Sequence, residues 1–309
     1  MTDKIRWKIE EHLPENQARC SLRTLLHDQW LLPNRYVHFL RRRHHVLLNG
    51  RYAYMNTVVA ARDRVTLAFN GDEFRTPAAN DYRPTSAPRV RVLFENRDLV
   101  VVNKPQGQKS HPNYHGETGT LMNDVAGYLT AKNCGAFMVH RLDQETSGAM
   151  IIAKNPVVVP VLNRLISSGQ IHRRYLAVVA GNLTGRGKFT EPLGKDPRDV
   201  RKYCVAGENA KPAQTNYQVL ASRHNRTLVL LQLATGRTHQ LRVHLAYHGH
   251  PIIGDPLYGR DSSSRMLLHG AKQELVLPFS FKRIQVTAPL PSYFTDYLVK
   301  YDLEKLDCK

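Results

Sequence analysis

The chain holds no apolar run approaching the roughly 20 residues a membrane-spanning helix needs. Its opening stretch, MTDKIRWKIEEHLPEN, is charged rather than signal-like. No membrane association is expected, and the expected location is the cytoplasm. Cysteines are few and scattered: Cys20, Cys134, Cys204 and Cys308 form no Cys-x-x-Cys pair, so a disulfide framework is excluded and reduced thiols are expected. There is no glycine-rich phosphate loop, which argues against a nucleotide cofactor. His244 and His248 stand four apart, the spacing of a zinc pair, but the segment reads HLAYH and lacks the glutamate a metalloprotease helix places after its first histidine, so no metal is expected. Internal repeats and low-complexity segments are absent as well.

Acidic residues are also in short supply. Lys and Arg number 44 against 26 Asp and Glu, giving a formal net charge of +18. Such an excess favours a polyanionic partner, and phosphate backbones are the commonest one. A length of 309 residues leaves room for one large and one small domain. Composition divides the chain into a lead-in over residues 1–19, a compact basic unit over 20–70, a turn-rich linker over 71–88 that holds Gly71, Pro77, Pro84 and Pro88, and a large domain over 89–309.

In the basic unit, Leu22, Leu25, Leu26 and Trp30 recur at helical spacing. Tyr36, Val37, Phe39 and Leu40 do so again beyond a turn at Pro33-Asn34. Short strands over Val46–Gly50 and Val65–Phe69 follow, joined through an Asn-Gly turn and an approach over Ala61–Arg64. In the large domain, strands are expected near 91–94, 99–103, 149–153, 175–180, 215–220 and 228–232, and helices near 121–129 and 157–168. Strand runs broken by helices predict an α+β domain on a mixed or antiparallel sheet.

The most informative stretch is HRLDQETSG, His140 to Gly148. It sets one acid, Asp143, behind Arg141 and ahead of a hydroxyl and glycine turn, and a rigid apolar strand follows to brace it. By itself the pattern could equally be a surface ion pair before a strand. Three further segments stand in order around it: VVVNKPQGQKSHP (100–112), RRYLAVVAG (173–181) and ATGRTHQLRVHLAYHGHPIIGDPLYG (234–259). Together the four resemble the RluA-type pseudouridine synthases, which isomerise uridine in structured RNA. The basic unit resembles the alpha-L RNA-binding module of ribosome-associated proteins, although Ser21-Leu22-Arg23-Thr24 replaces the usual Arg-Leu-Asp start of its first helix.

That resemblance implies a central bent sheet crossed by an RNA cleft, no cofactor, and a set of roles. Asp143 would be the reacting carboxylate, either as nucleophile or as the base that starts an elimination at the sugar. An acid in a dry pocket needs a fixed cation nearby to stay charged, and the resemblance gives Arg237 that place, a phosphate contact being the other reading. Tyr175 would lie against the uracil and accept the C5 proton, or else be a packed strand tyrosine. Arg174 stands where many members carry lysine.

Arg141 would fill the space left when the uridine is flipped out of its stack. Leu241 would pack on the flipped base or belong to the core. Arg35, Arg41, Arg42 and Arg43, with His38, would meet phosphates, unless this is only a solvated basic helix face. Gln106 and Ser110 depart from the family pattern and receive no role; Asp255 would fix local backbone amides in a turn. Partners are then structured RNA, ribosomal or transfer, with the chain a monomer. The competing readings are an inactive RNA-binding or ribosome-assembly factor with the same fold, and a glycosylase that releases the base.

Overall fold

The computed structural model describes residues 5–74, 82–259 and 265–304. Its N-terminal unit runs β1 (Trp7–His12), β2 (Cys20–Ser21), the single turn α1 (Leu22–Thr24) continued by a π turn over Leu25–Gln29, α2 (Asn34–Arg42), β3 (Val46–Leu48), β4 (Arg51–Tyr52), β5 (Val58–Val59) and β6 (Arg64–Phe69). The Ser21 hydroxyl caps the first turn by accepting the Thr24 N–H. Asn49-Gly50 closes a tight hairpin between β3 and β4, and β6 pairs with both β3 and β1, in the order β1-β6-β3-β4. The lead-in over 1–19 thus holds an edge strand of this sheet: Trp7 to His12 match Phe69 to Arg64 residue for residue. Its polar alternation, WKIEEH, hid the strand from the sequence reading.

The large unit continues with β7 (Val92–Glu95), β8 (Leu99–Lys104), α3 (Leu121–Thr130), β9 (Phe137–Met138), β10 (Ser147–Ala153), α4 (Val159–Ser167), β11 (His172–Ala180) and β12 (Arg186–Phe189). A small three-stranded sheet, β13 (Leu193–Lys195), β14 (Tyr203–Val205) and β15 (Glu208–Lys211), is set between β12 and β16 (Thr215–Arg223). The unit closes with β17 (Arg226–Leu233), α5 (Gln240–Tyr247), β18 (Leu268–Val276), β19 (Arg283–Thr287) and α6 (Ser292–Lys300). Ten strands form one sheet in the order β12-β16-β17-β11-β18-β10-β8-β7, with β19 on β18 and β9 on β10. It is mixed, as expected, because β10 runs parallel to β18 and antiparallel to β8.

The pleat of the central strands sorts two cores. Val100, Val102, Met150 and Ile152 face α3 and α5 together with Tyr175 and Leu241. Leu99, Val101, Ala149 and Ile151 face the other way, into a core that includes Leu162 and Leu165 of α4 and runs on into Leu22, Trp30 and Phe69 of the N-terminal unit. Strands covered on both faces read as unbroken apolar runs, which is why β8 and β10 were legible. Trp30 meets the edge of Phe279 at 5.2 Å, and Arg164 Nη1 donates to the Leu31 carbonyl at 2.9 Å. The basic unit is therefore packed on the large one. Part of the expected linker, residues 75–81, lies outside the described residues.

Where β10 begins, Gly148 adopts φ +116°, and a Cβ there would meet the Gly270 carbonyl oxygen at 2.4 Å. Only glycine lets the start of β10 approach β18 this closely. Next to it, Ser147 Oγ lies 2.8 Å from His269 Nδ1 and 3.2 Å from the Tyr293 hydroxyl of α6.

Burial pushes His269 down to about 4 from an ordinary 6.5, so the native imidazole stays neutral where an unfolded one takes up a proton. Its stabilising contribution is complete above pH 6.5 and is lost as pH falls toward about 4. Thermal unfolding followed from pH 7.5 downward is expected to show stability falling by on the order of 1 kcal/mol per pH unit below that threshold for each such histidine, and His269→Gln is expected to flatten the slope.

Candidate active site

The loop between β9 and β10 is held at several points from below. Lys104, fully buried at the end of β8, donates from Nζ to the carbonyls of Pro105 at 2.9 Å, Gln108 at 2.6 Å and Gln144 at 2.9 Å, using all three of its protons. Burial pushes this lysine down to about 7, against the pull of Asp143 and Glu145. Ser110 Oγ donates to the Leu142 carbonyl at 2.5 Å and accepts the Leu142 N–H at 3.1 Å. His140 Nε2 accepts the Ile151 N–H at 3.0 Å, and its ring, lowered to about 3 by burial and by Arg173, stays neutral. Ser110, left without a role in the sequence reading, is thus a clamp on the residue just before Asp143. Nothing in its immediate sequence announced that.

Asp143 projects from this loop, about one fifth exposed, into a narrow cleft lined by Arg141, Tyr175, His239, Leu241 and Arg242. Wider clefts of about 480 and 450 Å³ open on either side, and both include Arg141 and Asp143. Arg242, in the first turn of α5, donates from Nη1 to Asp143 Oδ2 at 3.1 Å; its Nε and Nη2 each reach an oxygen of Asp255 at 2.7 Å. Burial pulls this guanidinium down, but the two carboxylates outweigh it and hold it above the usual arginine range.

Asp255 is held below the ordinary carboxylate value, Arg242 and the N–H groups of Leu257 and Tyr258 overcoming its burial. It fixes the turn amides as expected, and it also anchors the arginine. The Tyr258 hydroxyl accepts the Tyr203 N–H at 2.8 Å and lies 3.0 Å from His239 Nδ1. The other ring nitrogen of His239, Nε2, lies 3.9 Å from Asp143 Oδ2.

Tyr175 stands on β11 at an irregularity in its pairing with β18, between Arg174 and Leu176, and its ring is turned into the cleft. Burial, opposed by Arg173 and reinforced by Asp143, pushes its phenol above the ordinary value, so it meets a ligand as a neutral ring. Arg174 points to the other face and pairs with Glu274 at 2.9 Å. Leu241 is nearly buried and lines the same cleft, and Arg141 is exposed beside it.

Three placements, those of Arg237, Arg43 and Arg35, differ from the expectation. Arg237 is not the partner of Asp143: it lies in the turn ahead of α5, exposed, with Nε donating to the Pro212 carbonyl at 3.0 Å. Arg242 takes that place because it belongs to the helix proper and points inward.

In the N-terminal unit, Arg43 is not open to phosphate. It pairs with Asp72 and Glu73, and those carboxylates raise it above the usual arginine range. Arg35 donates to the carbonyls of Glu73 and Asp72. Arg41 and Arg42 are exposed and without an acid partner among the described residues. His244 hydrogen-bonds Thr215 and the Glu191 carbonyl, and His248 pairs with the Glu191 carboxylate. No group of three or more metal-binding side chains occurs, and no helix is long and apolar enough to cross a membrane, among the described residues. Cys20, Cys134 and Cys204 are free thiols.

The two arginines should separate cleanly on unfolding by urea. Arg242→Met strands two carboxylates in a buried site and is expected to cost about 3–5 kcal/mol, whereas Arg237→Met is expected to cost less than about 1 kcal/mol; the reverse order would mean that the acid is held from Arg237 after all.

A family model described as RNA pseudouridylate synthase matches residues 98–247, and one described as RluD ribosomal pseudouridine synthase N-terminal domain matches residues 9–65. The chain is 35% identical over 254 residues to the uncharacterized RNA pseudouridine synthase YhcT of Bacillus subtilis (strain 168), covering 80% of this chain and 82% of that protein. It is 31% identical to ribosomal large subunit pseudouridine synthase D of Haemophilus ducreyi, over 84% and 86% of the two chains. The solved structure of human RNA pseudouridylate synthase domain containing 1 superposes with a TM-score of 0.56 at 30% identity, over 68% of this chain and 86% of that one. The braced acid, the mixed sheet that carries it and the N-terminal module thus converge on one assignment: the chain belongs to the RluA/RluD-type RNA pseudouridine synthases.

Proposed function

We propose that this synthase acts on a uridine in structured RNA, with ribosomal RNA favoured over transfer RNA, and that Asp143 is its reacting carboxylate. The observation that carries the proposal is one carboxylate in an open cleft, 3.1 Å from a buried arginine and beside a buried tyrosine ring. The reaction breaks the bond between ribose C1′ and uracil N1, forms one between C1′ and C5, moves the C5 proton away and gives N1 a proton. Atoms balance without any added reactant. Asp143 serves either by attacking or by taking a proton from the sugar. Tyr175, neutral in this site, supports the detached ring from one face, and Leu241 packs on it.

A stacked uridine cannot reach Asp143 without leaving the RNA helix, at a cost of a few kcal/mol. Arg141 supports that step: it is exposed at the mouth of all three clefts and offers a flat cation to the vacated stack. Away from the cleft, Arg41 and Arg42 are suited to phosphates, and Arg23 and His38 line the same surface as Arg41. The preference for ribosomal RNA rests on the N-terminal domain match and on the large-subunit relative.

The test is a chemical map of pseudouridine in RNA from a strain lacking the gene, complemented with wild type or with Asp143→Asn. Wild type is expected to restore at least one mark in large-subunit ribosomal RNA. The variant, with its fold checked by thermal unfolding, is expected to be slower by about a thousandfold or more and to leave that mark missing. A mark restored by Asp143→Asn would remove the carboxylate from the chemistry, and a map unchanged by deletion would favour an RNA-binding factor.

A further inference from the structure

One buried cation beside the cleft is not used by the chemistry above. On β11 the pleat sends Arg173 to the same side as Tyr175, while Arg174 faces away and is neutralised by Glu274. Arg173 is only 7% exposed. Its Nε is buried without a hydrogen-bond partner, and no acid pairs with it among the described residues. The neighbouring His140 ring offers it no charge compensation, being neutral and also carrying a buried, unpartnered Nδ1. Burying a cation unpaired is costly, and arginine cannot escape by losing its proton. Arg173 nevertheless lines an accessible cleft of about 480 Å³.

That cleft has a marked charge asymmetry. Arg141, Arg173 and Arg237 line it against one carboxylate, Asp143, which is already met by Arg242. The backbone also comes close: a Cβ on Gly236 would lie 3.3 Å from Arg173 Nη2, so a side chain at that position would crowd the guanidinium and narrow the approach of a ligand. A buried fork of donors, two more guanidiniums at the rim and a side-chain-free stretch of backbone suit a tetrahedral oxyanion.

We propose that this cleft is a phosphate site: Arg173, with Arg141 and Arg237 at its mouth, receives an RNA phosphate adjacent to the uridine held at Asp143. The inference rests on the reading that the substrate is a uridine within RNA, and it adds what seats that nucleotide. Base packing on Tyr175 and Leu241 sets the depth of the ring, and the phosphate at Arg173 fixes the strand beside it, so that the nucleotide is held in place against the carboxylate.

Two measurements test it. The first follows tritium release from a large-subunit ribosomal RNA transcript carrying 5-tritiated uridine, for wild type, Arg173→Gln and Arg173→Lys, each checked for an unaltered thermal transition. Arg173→Gln is expected to raise KM by about tenfold or more, with the loss falling on KM rather than kcat. It is also expected to lower the slope of log(kcat/KM) against log salt by about 0.7–0.9, one phosphate's worth; Arg173→Lys should keep most of that slope. A wild-type slope in Arg173→Gln, or a loss confined to kcat, overturns the proposal.

The second needs no turnover and no folded variant: guanidinium NMR of the wild-type protein titrated with inorganic phosphate. A saturable shift of the Arg173 Nε–H resonance supports the site, and its absence overturns it. If the transcript is not a substrate, only the choice of RNA fails, because the phosphate titration decides the site independently.

Discussion

Arg242 between Asp143 and Asp255 is the contact on which the site's geometry depends. Each of its three nitrogens is committed to a carboxylate, and the side chain is almost wholly buried. A guanidinium so placed has lost its hydration and tolerates the loss only because a full negative charge stands on each side. Asp255 is itself held by two backbone N–H groups, so the chain of charges ends on rigid turn geometry and not on solvent. Asp143 is therefore referenced to α5 and to the turn after it, elements roughly a hundred residues further along the chain.

Two different kinds of support meet at Asp143. From below, Lys104 and Ser110 bind carbonyls and an N–H of the loop, fixing its path without touching the carboxylate. From across the cleft, Arg242 and His239 approach the carboxylate itself. The first set determines where the acid is, and the second determines the field it feels. Because the loop runs into β10, a strand buried along its whole length, and is clamped by Lys104 and Ser110, little of this arrangement can relax when RNA arrives. On the proposed reading it is the RNA that adapts, by extruding the uridine from its stack.

Asp143 was marked by a local pattern, an acid in a turn before an apolar strand, whereas Tyr175 and Leu241 were placed by the family resemblance; the structure lines one cleft with all three. The pairing of the arginines was not legible. Arg237 and Arg242 stand five residues apart in one segment, and what separates them is the left-handed backbone at His239, φ 55°, where the turn ends and α5 begins. Nothing in ATGRTHQLRVH announces that helix boundary, so the sequence could not say which guanidinium points inward. Arg35 and Arg43 were read as phosphate ligands for a similar reason: their partners, Asp72 and Glu73, are about thirty or more residues away. Fold was easier to read than charge pairing because burial leaves a periodic trace and long-range ion pairs leave none.

That distinction also bears on how a net charge of +18 is to be understood. The excess is what remains after every acid is matched, and it does not say which cations are free: Arg43, Arg97, Arg174 and Arg242 are each matched to an acid, and their effect on RNA is correspondingly small. Of the cations without an acid partner among the described residues, two groups bear on the proposed RNA contact. Arg41 and Arg42 stand on the outer face of α2, while Arg141, Arg173 and Arg237 surround the cleft at Asp143. On the proposed reading, unpaired charge near Asp143 would raise the local concentration of RNA there, and unpaired charge on the module would hold the rest of the molecule. On that same reading, two such regions on packed units would constrain a bound RNA at two points, selecting for folded RNA of the right span over a free strand carrying the same uridine.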